Sequence, residues 1–375
     1  MSPAVVNADS FWYSAAPVTV TFGVETDPPG STRLDELHVD LSFVGPAAPA
    51  AFALDRVDTE MLTNVVPLDP AFNHPYVNAS TQRTFSDELL PFGLDFLDLA
   101  DGQTYWELAQ DPVAGQIFLG VNSYITSADL NRRALWNPGV AEQGAIIDGR
   151  WIVIDLIDAQ MPSGGNFALY NLLFSPVIGF RDFLATADGL DAGDRLYFPS
   201  SGHAHYRWGF TQAGVYELTF QTSTFLEGGF AEWAALEGLS GSNADFTVDN
   251  ESDRATAGLE YALGESANGY DPSLLPSAGV DGEHAILFVC LPFGQPDPGR
   301  HDIRYEVWAR TGLDGPESLI ASKEGNAAWV AHAGTVSLHE ARRNHTVFAV
   351  RDAEVVSAAQ PRFLRLAVTL IEAGP

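Results

Sequence analysis

Two short pairs of residues carry the strongest chemical signal in this chain: His203-Ala204-His205 and His38-Val39-Asp40. In an extended strand, positions i and i+2 face the same side. Each pair therefore aims two polar groups at one region of space. Three neutral imidazoles and one carboxylate make a shell that suits tetrahedral Zn²⁺ and also accepts Cu²⁺. A closed shell of four is structural or storage-like, whereas an open coordination position permits hydrolytic chemistry. Tyr206 and Trp208 flank the histidine pair and, with Trp106, are candidates for ligand-facing aromatics; Gln110 is a further oxygen donor. The competing reading is that these histidines only pack and hydrogen-bond at strand ends.

Calcium is the second candidate ion. Asp188, Asp191 and Asp194 sit three apart in a glycine-containing loop, and Asp245, Asn250, Glu251 and Asp253 crowd another. Asp95, Asp98 and Asp101 form a third acidic loop. None has acids at alternating positions with glycine at the sixth, as an EF-hand requires. Solvated turns with Asx capping have the same composition.

Other chemistries find less support. There is no Gly-x-Ser-x-Gly elbow, phosphate loop or dinucleotide fingerprint. With 49 acidic residues, a glycosidase-like carboxylate pair can be drawn almost anywhere, so that signal is empty. His301-Asp302 reads as a strand start, and His332, His339 and His345 lie scattered near the C-terminus. Trp106, Trp136, Trp208 and Trp233 would suit a glycan platform if exposed, although most tryptophans of a sandwich are core. The one cysteine, Cys290, lies in an apolar run and reads as a buried, inert thiol.

These residues must be held by strands. The 375 residues are 46% hydrophobic and 18% charged, enough apolar material for more than one core. Glycine (34) and proline (23) are spread throughout, as many short strands joined by turns require. Period-two alternation marks 17–24 and 37–43, and 151–157 is a continuous apolar run of central-strand type. The stretch 203–220 reads as a β-hairpin with Gly214 near its turn. Helical patterning is confined to 230–239 and 337–343. Residues 46–90 are loop-rich, 240–279 are polar and turn-rich, and five strand candidates follow between 285 and 371. The expectation is an all-β protein of two sandwich-like domains, 1–245 and 281–375, with a linker or long connection over 246–280.

The formal charge of −30 repels nucleic acid and anionic membranes, which sets both aside as partners; it suits cations or a saline milieu. No apolar run is long enough for a membrane-spanning helix. Residues 1–7 have neither the basic nor the apolar region of a signal peptide, so the leader and anchor of an exported form are expected outside this sequence.

The order Asp188-Gly-Leu-Asp-Ala-Gly-Asp194, Gly202-His-Ala-His-Tyr206, Trp208-Gly-Phe-Thr211 and Gly214-Val-Tyr-Glu217 resembles the actinobacterial surface-anchored domain, also found as the choice-of-anchor M domain of bacterial cell-surface proteins. Weaker matches are His38-Val-Asp40, Tyr105-Trp-Glu-Leu-Ala-Gln110 and Gly164 to Tyr170, so the resemblance covers about residues 34 to 230. Leu37 replaces the family's usual glycine, Ala109 stands where proline is usual, and residues after about 250 match nothing in the family. The resemblance implies an exported, extracellular or surface-anchored bacterial protein. Some members are encoded beside metal-type transporters, which hints at metal handling, and no catalytic activity defines the family. The expected role is therefore binding or structural, non-enzymatic, with a metal ion as partner and a cell-envelope component or glycan as a further one. Two alternatives stay open: a metal-dependent hydrolase or oxidase, and a carbohydrate-binding adhesion module.

Overall fold

The computed structural model describes residues 9–30, 33–34, 38–44, 51–57, 65–67, 74–122, 132–138, 149–173, 179–199, 203–250, 252–267, 269, 271–294, 297–312, 314–357 and 361–371. The fold is all-β and sandwich-like, as its alternating patterns require. It divides into two compact units. One comprises Ser14–Asn131 and Pro138–Thr224; the other comprises Met1–Tyr13, Arg132–Asn137 and Phe225–Pro375. For brevity these are the histidine unit and the C-terminal unit.

The histidine unit contains three sheets. The largest runs, edge to edge, through Arg195–Pro199, Trp151–Gln160, Gly214–Glu227, Val18–Val24, His74–Val77 and Arg33–Leu34. Trp151–Gln160 is an interior strand there, as its apolar run implies. A second sheet orders Gly179–Ala185, Phe167–Leu173, Arg207–Phe210, Thr104–Leu108 and Gln82–Thr84. The third orders His203–His205, Phe118–Asn122, His38–Val44, Ala51–Val57 and Val65–Pro67. Inward residues of all three sheets share one core, including Phe22, Ile154, Phe220, Trp208, Phe210, Leu119 and Val121.

The stretch 203–220 is not a hairpin. Its three strands go to three different sheets, and Arg207–Phe210 pairs with Phe167–Leu173 and Thr104–Leu108 rather than with Gly214–Glu227. The turn at 211–213 is an arch whose arms meet through side chains. Phe210 lies edge-on to Tyr216 at 5.0 Å, and Trp208 lies edge-on to Phe220 at 6.4 Å between ring centres. The Tyr216 hydroxyl pins the bend, accepting from the Gln212 N–H at 3.1 Å and donating to the Gln212 carbonyl at 3.0 Å. Tyrosine corners of sandwiches close in a similar way.

The C-terminal unit stacks two four-stranded sheets. One runs Ser277–Asp281, His284–Pro292, His345–Val355 and Gly334–Ala341; the other runs Val330–Ala331, Glu317–Glu324, Ile303–Thr311 and Arg362–Leu370. Helix Phe230–Leu236 matches its apolar spacing and is capped by the Asp302 carboxylate, which accepts from the Phe230 N–H at 2.9 Å. The expected connection at 246–280 instead includes the buried helix Ala257–Leu263, within the same unit as everything after 225. Its apolar heptapeptide AGLEYAL is hidden in polar surroundings but contributes Ala257, Tyr261 and Ala262 to the core. The stretch 337–343 is not helical either. It belongs largely to strand Gly334–Ala341, whose ladder with His345–Val355 overrides its modest helix propensity.

One ion pair lies wholly inside the histidine unit's largest sheet. Arg195 reaches Asp155 with two parallel bonds of 2.7 and 2.8 Å, and Asp155 is fully buried. Removing one partner of such a pair leaves a buried charge uncompensated. Asp155→Ala is expected to lower stability by about 3–5 kcal/mol, read as a drop in urea midpoint with unchanged slope.

Candidate functional site

Strand Phe118–Asn122 joins the two histidine-bearing pairs. Along one edge it runs parallel to His38–Val44, with Phe118 opposite His38, Gly120 opposite Asp40 and Asn122 opposite Ser42. Along the other it runs antiparallel to His203–His205, with Gly120 opposite His205 and Asn122 opposite His203. Residues opposite one another in a ladder share a face, as do positions i and i+2. The register therefore assigns His38, Asp40, His203 and His205 to one face of one sheet. Gly120, with no side chain, stands between Asp40 and His205 in their row. Asp55 occupies the position opposite Asp40 in the next strand. The side chains of His38, Asp40 and Asp55 lie outside the described residues.

That face is turned away from the core. Leu119 and Val121, which alternate with the row, are buried in the core, and Ala204 between the two histidines packs against it. His203 and His205 are only partly buried. Their rings are perpendicular (87°), with centres 4.7 Å apart. Zn–N bonds of about 2.05 Å and about 1.15 Å from nitrogen to ring centre put two imidazoles on one tetrahedral ion at roughly 5.2 Å between centres. The observed pair is about half an ångström closer than that. Phe118 lies flat on His205, 3.6 Å between centres at 9°. Such stacking covers the ring's face, while coordination and hydrogen bonding use its edge. It fixes the ring without occupying its nitrogens. Among the described residues alone, no group of three or more His, Cys, Asp or Glu is placed to hold a metal.

Downstream, the histidine strand is tied to a buried carboxylate that the sequence did not single out. Glu107 accepts from Arg207 Nη1 and from the Tyr170 hydroxyl, both at 2.6 Å. Burial, then the charge of Glu107, holds the Tyr170 phenol well above its ordinary pKa, so it stays a donor. Gln110 follows strand Thr104–Leu108, in a different sheet from the histidine row.

The aromatic candidates are interior. Trp106, Tyr206 and Trp208 are 9%, 8% and 1% exposed and belong to the core, so none faces a surface ligand. Trp136 and Trp233 are buried as well, leaving no row of exposed rings among these four tryptophans. Inward strand positions demand large apolar groups, and tryptophan fills them.

The acidic loops serve mainly as turns. Asp194 is buried and accepts from the Ala185 and Asp191 N–H groups, each at 2.7 Å, with one oxygen apiece. Asp191 in turn accepts from the Gly193 N–H at 2.5 Å. Both carboxylates thus close the loop rather than opening toward an ion. In the second loop, Asp245 and Asp253 hold the backbone of Thr247 and Ala255 in the same manner, and Glu251 lies outside the described residues. Asp188 does meet Asp95, Asp98 and Asp182 around a cavity of about 430 Å³. Partial burial, and then the charges of Asp188 and Asp95, raise the Asp182 pKa. Asp101 instead accepts from the Asp87 N–H at 3.2 Å.

Three other histidines make local contacts away from the histidine row. His301 bonds the Ser10 carbonyl at 3.0 Å, and His332 bonds the Ser322 hydroxyl at 2.8 Å. His339 packs on Phe288. Burial pushes the Cys290 thiol up to about 11, which keeps it protonated and unreactive at neutral pH. Comparison with known proteins finds no matching family model, no matching curated protein and no matching solved structure.

His345 is bonded to the Leu263 carbonyl at 3.2 Å, and burial, followed by the nearby Arg300 charge, brings its pKa down to about 4. The unfolded chain binds this proton below about pH 6.5 while the folded chain does not, so stability is lost as pH falls from there toward 4. The loss is expected to reach about 3 kcal/mol at pH 4. His345→Gln should flatten that part of the stability–pH curve in urea titrations.

Proposed function

We propose that this chain is an exported or cell-surface bacterial β-sandwich protein with a binding or structural role, holding a transition metal on the outer face of its histidine sheet. His38, Asp40, His203 and His205 are the ligands, and Zn²⁺ or Cu²⁺ is the ion. The observation that carries the reading is the double register at Gly120, opposite Asp40 on one side and His205 on the other. Two motifs 160 residues and more apart in sequence thereby share one sheet face. The two imidazoles, 4.7 Å apart, lie within about half an ångström of the spacing of two ligands on one ion. Function follows from ligation. Neutral imidazoles donate lone pairs, Asp40 offsets part of the ion's charge, and Phe118 holds the ring of His205.

The surface setting rests on the resemblance of the histidine region to surface-anchored domains and on a charge of −30, which favours cations. Among the described residues no helix is long and apolar enough to cross a membrane.

Elemental analysis of the purified protein is expected to find one Zn or Cu per chain, or to find it after incubation with that ion and desalting. His203→Ala and His205→Ala should each remove it with the circular dichroism unchanged. Affinity should fall below about pH 6 as imidazoles protonate. Folded protein that takes up neither ion at pH 7.5 would refute the reading.

A further inference from the structure

The histidine sheet leaves unexplained the single lysine of this chain, Lys323. In so acidic a protein the obvious place for a lysine is the surface, yet Lys323 is 1% exposed. It lies near the end of strand Glu317–Glu324, opposite Tyr305. Its ammonium donates to the Ala327 carbonyl, the one hydrogen-bond acceptor it has among the described residues. Three donors with one acceptor is a poor arrangement for a buried cation. Burial accordingly brings its pKa down to about 8, against the opposing pull of Asp297. At pH 7 that leaves about a tenth of Lys323 as the neutral, nucleophilic amine, far more than for a solvated lysine.

Lys323 and Asp297 line a cavity of about 160 Å³ whose other walls include Trp329, Val336, Leu338 and Phe348. Room beside the lysine depends on Gly299. Its φ of +123° disfavours other residues, and a Cβ there would come within 3.0 Å of the Lys323 Cε. A desolvated amine, a neighbouring carboxylate and apolar walls are the parts used by proteins that bind carbonyl compounds through an imine.

We propose that Lys323 is a covalent capture site for small apolar or aromatic aldehydes. The Nζ lone pair attacks the carbonyl carbon, and the C=O π pair moves to oxygen. The proton released from nitrogen passes to that oxygen through water in the cavity, with the Asp297 carboxylate on the cavity wall favouring the transfer, giving a neutral carbinolamine. A second proton transfer along the same path expels the hydroxyl as water while the nitrogen lone pair forms C=N. Aldehyde and amine thus become imine and water, with no oxidant or reductant. A cavity of about 160 Å³ with Trp329, Val336, Leu338 and Phe348 in its walls has room for a group of benzyl size.

The test is reductive trapping with benzaldehyde and cyanoborohydride at pH 7.4, read by intact mass and peptide mapping. With one lysine in the chain, a benzylated lysine peptide identifies the site. Lys323 is expected to react at least tenfold faster than Nα-acetyl-lysine, and its rate should saturate with aldehyde concentration. Asp297→Asn should slow trapping several-fold with the lysine retained, and Leu338→Trp, at an exposed wall position, should block it. Lys323→Met should abolish it. A rate equal to or below the free amine, or labelling only in guanidinium, would make Lys323 a buried structural lysine and overturn the proposal. The variants Asp297→Asn and Leu338→Trp decide the matter even if Lys323→Met does not fold.

Discussion

The histidine unit's candidate site rests on two hydrogen-bonded ladders that meet at one residue without a side chain. Strand Phe118–Asn122 is bound in parallel on one edge and antiparallel on the other, and both registers converge at Gly120. Side chains alternate with a period of two, so a slip of one residue in either ladder would turn a whole pair to the core side. Leu119, Val121 and Ala204 forbid that slip, because their burial holds the strands in phase. Apolar contacts on one face thus set the position of polar residues on the other. The neighbouring Arg207–Glu107–Tyr170 bonds and the Tyr216 arch then fix where the chain goes after His205.

Much of this was legible in the sequence, and what was not follows a pattern. Alternation located Val18–Val24, a continuous apolar run located Trp151–Gln160, and i, i+2 spacing put His203 and His205 on one side of their strand. Partner choice was hidden. Trp208, Phe210, Tyr216 and Phe220 have the same periodicity whether their strands share hydrogen bonds in a hairpin or face each other across an arch. Only the ladders distinguish the two. The alignment of His38–Val44 with Phe118–Asn122 is parallel and remote in sequence, so no local signal could announce it. Phe118 was readable as strand, but not as the ring lying on His205. Composition also could not say that the tryptophans face inward.

Several of the molecule's few cations hold buried carboxylates, while others, such as Arg304 and Arg365, pair with acids at the surface. Arginine carries nearly all of them, and its planar fork suits buried carboxylates. Arg195 holds Asp155, Arg362 holds Asp352 at 2.7 Å, and Arg207 holds Glu107. Arg300 is buried between Phe11 and Tyr261 and donates to two backbone carbonyls, those of Tyr261 and Trp12. Beyond such pairs an acidic excess remains, and its field gathers cations around the chain.

The bond from Arg300 to the Trp12 carbonyl has a consequence for synthesis. Its two ends are 288 residues apart, and the His301–Ser10 bond beside it spans 291. Phe11 belongs to the same core as Val307 and Ile320. A ribosome therefore releases strand Ser10–Ser14 long before it makes Arg300, His301 and the core residues that surround Phe11. The histidine unit can close on itself while the rest is still being translated. The C-terminal unit must wait, with Phe11 lacking most of its core neighbours, until the strands around Val307 and Ile320 have emerged. Non-local closure of this kind is slow and exposed to aggregation. A fragment starting at residue 225 would lack part of its own interior, so the two units are separate in packing without being separable by a single cut.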